Sequence, residues 1–177
     1  MKKMVFLIFG LILTLSVNTG YTQKAPEGFA GMKWGTPYSE FKKKDLILER
    51  TINRFDHLTN VQAKNPRVGD IEVSWLIFEF YKDRFVQVLI TSYQECRNIF
   101  RKILLEKYGK PTERRILRNP FNAEIGEELG WVVEQVQISL YLNYAEETGT
   151  LQYTYLPIWR EYVKERDKSH SKVKDSL

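Results

Sequence analysis

The side chains that could do chemistry in this chain are few and scattered. There is one thiol, Cys96, and there are two imidazoles, His57 and His170. A nucleophilic cysteine needs a partly exposed, electropositive setting, but Cys96 falls on the apolar stripe of a helical pattern, where a thiol is an inert small hydrophobe. Asp56-His57 supplies a base with a neighbouring carboxyl. A triad built on it would also need a serine on a defined turn, and no G-x-S-x-G is present. Metal-ligand spacings of the H-x-x-x-H, C-x-x-C and EF-hand kinds are absent as well. Glu124, Glu127 and Glu128 form a small acidic group that reads as a solvated loop. The expectation is therefore no catalytic residue, no metal and no cofactor.

Two sets of residues read as binding surfaces instead. Arg114, Arg115 and Arg118 cluster in a segment that looks like an edge strand. They either face an anionic envelope polymer or lipid headgroup, or blunt the edge against aggregation. Along residues 136–144, Val136, Ile138, Leu140, Leu142 and Tyr144 alternate with Gln137, Ser139, Tyr141 and Asn143. One face is buried and one is wet, with Gln152 and Thr154 expected beside the wet one. Aromatic residues make up 14% of the chain, and most fall on inward faces. Trp75 and Tyr141 are the two whose faces the pattern does not bury. The candidate binding residues are Arg114, Arg115, Arg118, Tyr141 and Asn143.

The elements that must position these groups follow from periodicity. Residues 28–44 read as a short strand turning through Gly35 into a helix, with Thr36 as N-cap and Pro37 as first helical residue. Gly31 is expected to mark a bulge. Gly28, Gly31 and Gly35 match neither phosphate-binding glycine spacing, so this stretch reads as structural punctuation. Residues 71–81 and 85–91 are rich in β-branched and aromatic types and flank the polar connection 82–84, which is a hairpin signal. Cys96, Ile99, Phe100, Ile103, Leu104 and Tyr108 form one helical stripe, stopped by Gly109 and Pro111. Strands then follow as a meander, and Pro157 opens a last helix carrying Trp159, Tyr162 and Val163. The fold class is α+β: an antiparallel sheet of about five to seven strands with two or three helices mainly on one face.

Residues 1–22 have the layout of a secretory signal peptide. Lys2 and Lys3 precede a thirteen-residue apolar run at 5–17, with cleavage expected after Gly20 or Thr22. Removing them takes the net charge from +5 to +3, too mild an excess to argue for nucleic acid. No cysteine follows the leader to carry a lipid. Residues 23–163 are expected as a single domain, and residues 164–177 as a charged, disordered tail.

The motifs "GFAGMKWGTPYSEFK", "FEFYKDRFVQVLI" and "IFRKILLEKYGKPT" together resemble a diffuse set of small exported bacterial proteins of unknown function. These share an aromatic-Gly-Ser/Thr strand-to-helix turn and a helix ending Tyr-Gly-x-Pro. The resemblance implies an α+β envelope domain and carries over no catalytic residue. The functional expectation is a non-enzymatic periplasmic or secreted binding or accessory protein. Its partner would be a protein or an anionic envelope component, with no nucleic acid and no stable membrane insertion once the leader is removed. The alternative is a cell-envelope hydrolase with an Asp56-His57 or carboxylate centre.

Overall fold

A computed structural model describes residues 24–55 and 58–174. The leader and the Asp56-His57 pair lie outside the described residues, as do the side chains of Cys96 and His170. Gly28–Phe29 (β1) and Met32–Lys33 (β2) form a small hairpin, followed by the helix Tyr38–Lys43 (α1). Then come Ile47–Phe55 (β3), Leu58–Ala63 (β4), Arg67–Val68 (β5) and Ile71–Glu72 (β6). Trp75–Tyr81 (β7) and Arg84–Tyr93 (β8) lead into the helix Gln94–Tyr108 (α2). The chain finishes with Glu113–Arg118 (β9), Glu124–Val133 (β10), Val136–Asn143 (β11), Thr148–Tyr155 (β12) and the helix Leu156–Lys174 (α3).

Eight strands make one antiparallel sheet in the order β3-β4-β7-β8-β12-β11-β10-β9. This exceeds the expected five to seven. Residues 46–52 read as a strand and residues 53–70 as turns with one irregular strand; residues 47–55 and 58–63 pair as the β3–β4 hairpin at one sheet edge, where polar side chains are tolerated. At the other edge Glu124, Ile125 and Gly126, which read as loop, extend β10 beside β9. Gly31 sits in a turn, not in a bulge. Ala30 and Gly31 both have positive φ (51° and 73°), which is the twist that a two-residue hairpin between β1 and β2 demands. Lys82 and Asp83 close the β7–β8 hairpin in the same way, at φ 47° and 66°.

The first helix begins one residue later than its sequence signals suggest. Pro37, not Thr36, is the N-cap, and it makes no side-chain cap bond. The Tyr38 N–H donates to the Asp83 carbonyl at 3.1 Å, so the β7–β8 hairpin supplies the acceptor that a capping side chain would have provided. Phe41 on α1 is fully buried and meets Phe78, Phe80 and Phe85 edge-on, with ring centroids 4.9–5.0 Å apart. Phe100 and Leu104 of α2 complete this side of the core. The α2 stripe is narrower than its spacing implies, because Ile99 and Ile103 stay exposed while Phe100 and Leu104 are buried.

The third helix differs from the other two in its face and from the expectation in its length. It packs on the opposite side of the sheet, where Ile158 and Tyr162 meet Tyr81 and Val86, so the helices are divided between the two faces. It also continues to Lys174, through the segment read as a disordered tail. Glu161 pairs with Arg84 and Glu165 with Lys82, both at 2.5 Å. Glu161 and Glu165 stand one turn apart, so the charged face of the helix lies along the β7–β8 hairpin. High charge alone reads as disorder; a docking partner far away in the chain overrides it.

Candidate functional site

The strand registers arrange the side of the sheet not covered by α1 and α2 as three rows, with Tyr93, Thr148, Asn143, Gly126 and Leu117 at the rim beyond the first. Trp75, Thr91, Thr150, Tyr141, Glu128 and Arg115 form the first, running from β7 to β9. Ile77, Leu89, Gln152, Ser139, Gly130 and Glu113 form the second, in the same strand order. Asn60, Glu79, Gln87, Thr154, Gln137 and Val132 form the third, starting on β4. Helix α3 covers only the end beyond the third row, where Tyr81 and Val86 lie. The first two rows remain open.

The third row holds a hydrogen-bonded chain with a fixed direction. Gln87 Nε2 donates to Glu79 Oε2 at 2.6 Å, so the Gln87 amide must turn its oxygen the other way. That oxygen accepts from Thr154 Oγ1 at 2.7 Å and from Gln152 Nε2 at 2.9 Å. Gln152 Nε2 also donates to Thr154 Oγ1 at 3.0 Å. The bonds that cross between strands therefore all run toward β7, and Glu79 is the acceptor at the end. Glu79 is only 8% exposed, and burial pushes its carboxyl up to about 7. Across from it on β4, Asn60 Oδ1 is buried with no hydrogen-bond partner among the described residues. An acceptor facing a carboxyl that tends to keep its proton is a consistent pair.

Beside this chain the open rows carry exposed aromatic rings and unused polar groups. Trp75 is 49% exposed and Tyr141 36%. Three strand spacings separate them in one row, which is ~14 Å at the usual spacing between strands. Thr91 and Thr150 lie between them with their hydroxyls 3.3 Å apart. Toward β9 the face dips into a cleft of about 300 Å³ lined by Glu113, Arg115, Glu128, Gly130, Gln137 and Ser139, among others. Gly130 leaves room there, since a Cβ on it would sit 3.4 Å from the Glu113 Cβ.

Each sequence-derived candidate has a definite place, and they do not converge. The three arginines form no basic patch, because each meets an acid across the β9–β10 hairpin. Arg118 bonds Glu124 at 2.7 Å, Arg114 bonds Glu127 at 2.9 Å, and Arg115 lies 3.6 Å from Glu128. Alternation along β9 sends Arg114 and Arg115 to opposite sides of the sheet. Arg114 turns to the covered side, where Glu127 is fully buried and also meets Arg101 of α2 at 3.0 Å. The acidic group is accordingly strand-borne and paired, not a solvated loop. Asn143 accepts from the Ala145 and Glu146 backbone N–H groups at 3.0 and 3.1 Å, which makes it a turn former. Arg115, Tyr141 and Asn143 lie on the open side, and of these Tyr141 alone has no task in the fold.

Sequence reasoning placed Gln137, Ser139, Tyr141, Gln152 and Thr154 on one face and missed its continuation through Gln87 to Glu79. The signal was present as one acid in "WLIFEFY" and one amide in "RFVQVLIT", two polar residues that face each other across the hairpin. Among the described residues, no three His, Cys, Asp or Glu side chains are grouped to hold a metal ion, and no helix is long and apolar enough to cross a membrane.

No family model matches the chain, and no curated protein matches it. Among solved structures, a DUF4309 family protein (YjgB) from Bacillus subtilis subsp. subtilis str. 168 is similar over 78% of this chain and 91% of that one. Its identity to this chain is 12% and the TM-score is 0.47.

Proposed function

We propose that the chain is an exported, non-enzymatic binding or accessory module, acting in the periplasm or after secretion, and that the open face of its sheet is the surface that binds. One observation carries this reading. Rows six strands long make a broad face whose inner row is a directed hydrogen-bond chain and whose outer rows keep polar groups without partners among the described residues. Such a chain holds side chains in one orientation, which is the preorganisation that a recognition surface needs. Export is supported by the n-region lysines, the apolar run and the small polar residues after it. The test is to express the full chain in a bacterial host and determine the N-terminal residue of the accumulated product. A product in the periplasm or medium that starts at Tyr21 or Gln23 is expected. Full-length protein retained in the cytoplasm would overturn the export half of the reading.

A second reading, a hydrolase with a carboxylate centre, has Glu79 in its favour, since a buried carboxyl near neutrality suits a general acid or base. Paired-carboxylate hydrolysis needs its two groups about 5–9.5 Å apart. Within the strand rows the next carboxyl toward β9, Glu128, is four strand spacings and two rows away, more than ~19 Å. Turnover of a glycoside or ester substrate that disappears in Glu79→Gln would favour this reading over the first.

A further inference from the structure

Resting on the binding-face reading above, we infer that the open face takes a neutral, polyhydroxylated chain: an oligosaccharide laid across the strands with Trp75 and Tyr141 as its two stacking ends. Three features on the face select this chemistry. The first is the pair of rings. Both stand exposed in one register row, ~14 Å apart, which suits a chain of several sugar units better than a single small molecule. A sugar ring offers an apolar C–H face to an aromatic ring while its hydroxyls reach sideways, so Trp and Tyr hold it without burying a charge.

The second feature is what lies between the rings. Thr91 and Thr150 supply hydroxyls, and Ser139 lies opposite Gln152 in the next row. Gln152 Nε2 donates to Gln87 and Thr154, which leaves its carbonyl oxygen as an acceptor for a ligand hydroxyl. Ser139 and Gln137 make no side-chain hydrogen bond among the described residues, so the surface keeps both donors and acceptors in reserve. Groups that can both give and take a proton match hydroxyls, which do the same.

The third feature is charge. From β7 to β11 the first two rows hold no ionisable group except the Tyr141 phenol. At the β9 end Arg115 lies beside Glu128, and Glu113 adds a second acid. The uncharged stretch from β7 to β11 attracts neither an anionic polymer nor a strongly charged protein partner, and covering it with a neutral ligand leaves no unpaired ion there. The half-buried Ile77 and Leu89 beside Trp75 extend the apolar strip under the sugar faces.

The experiment is calorimetric titration of the mature protein with cellohexaose, maltohexaose and N-acetylchitohexaose, and with hexagalacturonate as the anionic comparison. At least one neutral hexaose is expected to bind, with an affinity that hardly changes when salt is raised. Trp75→Ala and Tyr141→Ala should each weaken it by roughly tenfold or more. Lys102→Ala, on the exposed side of α2 and away from this face, should bind as the wild type does. Both ring positions are exposed, so these variants should keep the wild-type circular dichroism and melting point. Binding of hexagalacturonate alone, or of none of the four, would overturn the ligand class. So would neutral binding indifferent to both ring substitutions. A photo-reactive residue at position 141, tested in cells, separates the two levels. If the hexaoses fail but that residue still cross-links, the ligand class is wrong and the binding face stands. If both fail, the two readings fall together.

Discussion

The Gln87 side chain donates to Glu79 across adjacent strands at 2.6 Å, and this one bond sets the direction of every other bond in the row. It also leaves a carboxyl buried at 8% exposure with no ion pair among the described residues, and burial raises its pKa to about 7.

This carboxyl makes stability fall as pH rises. In the unfolded chain it ionises near its ordinary 4.5, and in the folded one near 7. Between those values the folded protein keeps a proton that the unfolded chain releases. The contribution is therefore complete below about pH 4.5 and is lost as pH rises through 7, by up to about 3 kcal/mol. Urea unfolding at several pH values in this window checks it. The wild type should lose stability relative to Glu79→Gln between about pH 5 and pH 8, and parallel curves would contradict the account.

The neighbouring arginines should differ sharply in their effect on stability. Arg114→Ala leaves the fully buried Glu127 with Arg101 alone and should destabilise by about 1–3 kcal/mol. Arg115→Ala removes an exposed pair at 3.6 Å and should change stability by about 0–1 kcal/mol. Chemical denaturation of the two variants measures both values, and equal losses would mean that Glu127 is not held as described.

Docking of α3 depends on a small apolar contact and two ion pairs. Tyr162→Ala removes a buried ring that packs on Tyr81 with centroids 5.5 Å apart, and should destabilise by about 2–4 kcal/mol. Hydrogen exchange should quicken from residue 158 onward more than in β10 or β11. Unchanged protection of α3 would show that the helix is held by something else.

The legibility of this chain in its sequence divides along the length scale of the interactions. The β7–β8 hairpin, the α2 stop at Gly109 and the alternation of β11 are local, and their residues announce them. Gly109 sits at φ 70° after the last turn, as its place before Pro111 implies. The β11 face was readable because Val136, Ile138, Leu140 and Leu142 alternate strictly. What was not readable depends on partners distant in the chain. The arginine–glutamate pairing needs the β9–β10 register, which is irregular between Glu124 and Gly126. The course of α3 past Val163 needs Lys82 and Arg84, which lie some eighty residues earlier. Glu79 is a single acid in an apolar strand, and its setting depends on Gln87, Thr154 and Asn60 on three other strands.

The central claim, that the open sheet face is where this protein meets its partner, is tested most directly by photo-cross-linking in living cells. A benzoylphenylalanine replaces Tyr141 on the open face or, in a parallel strain, Lys102 on the exposed side of α2. The account predicts a discrete adduct from position 141 and none from position 102. Adducts from both positions alike, or from position 102 only, would contradict it.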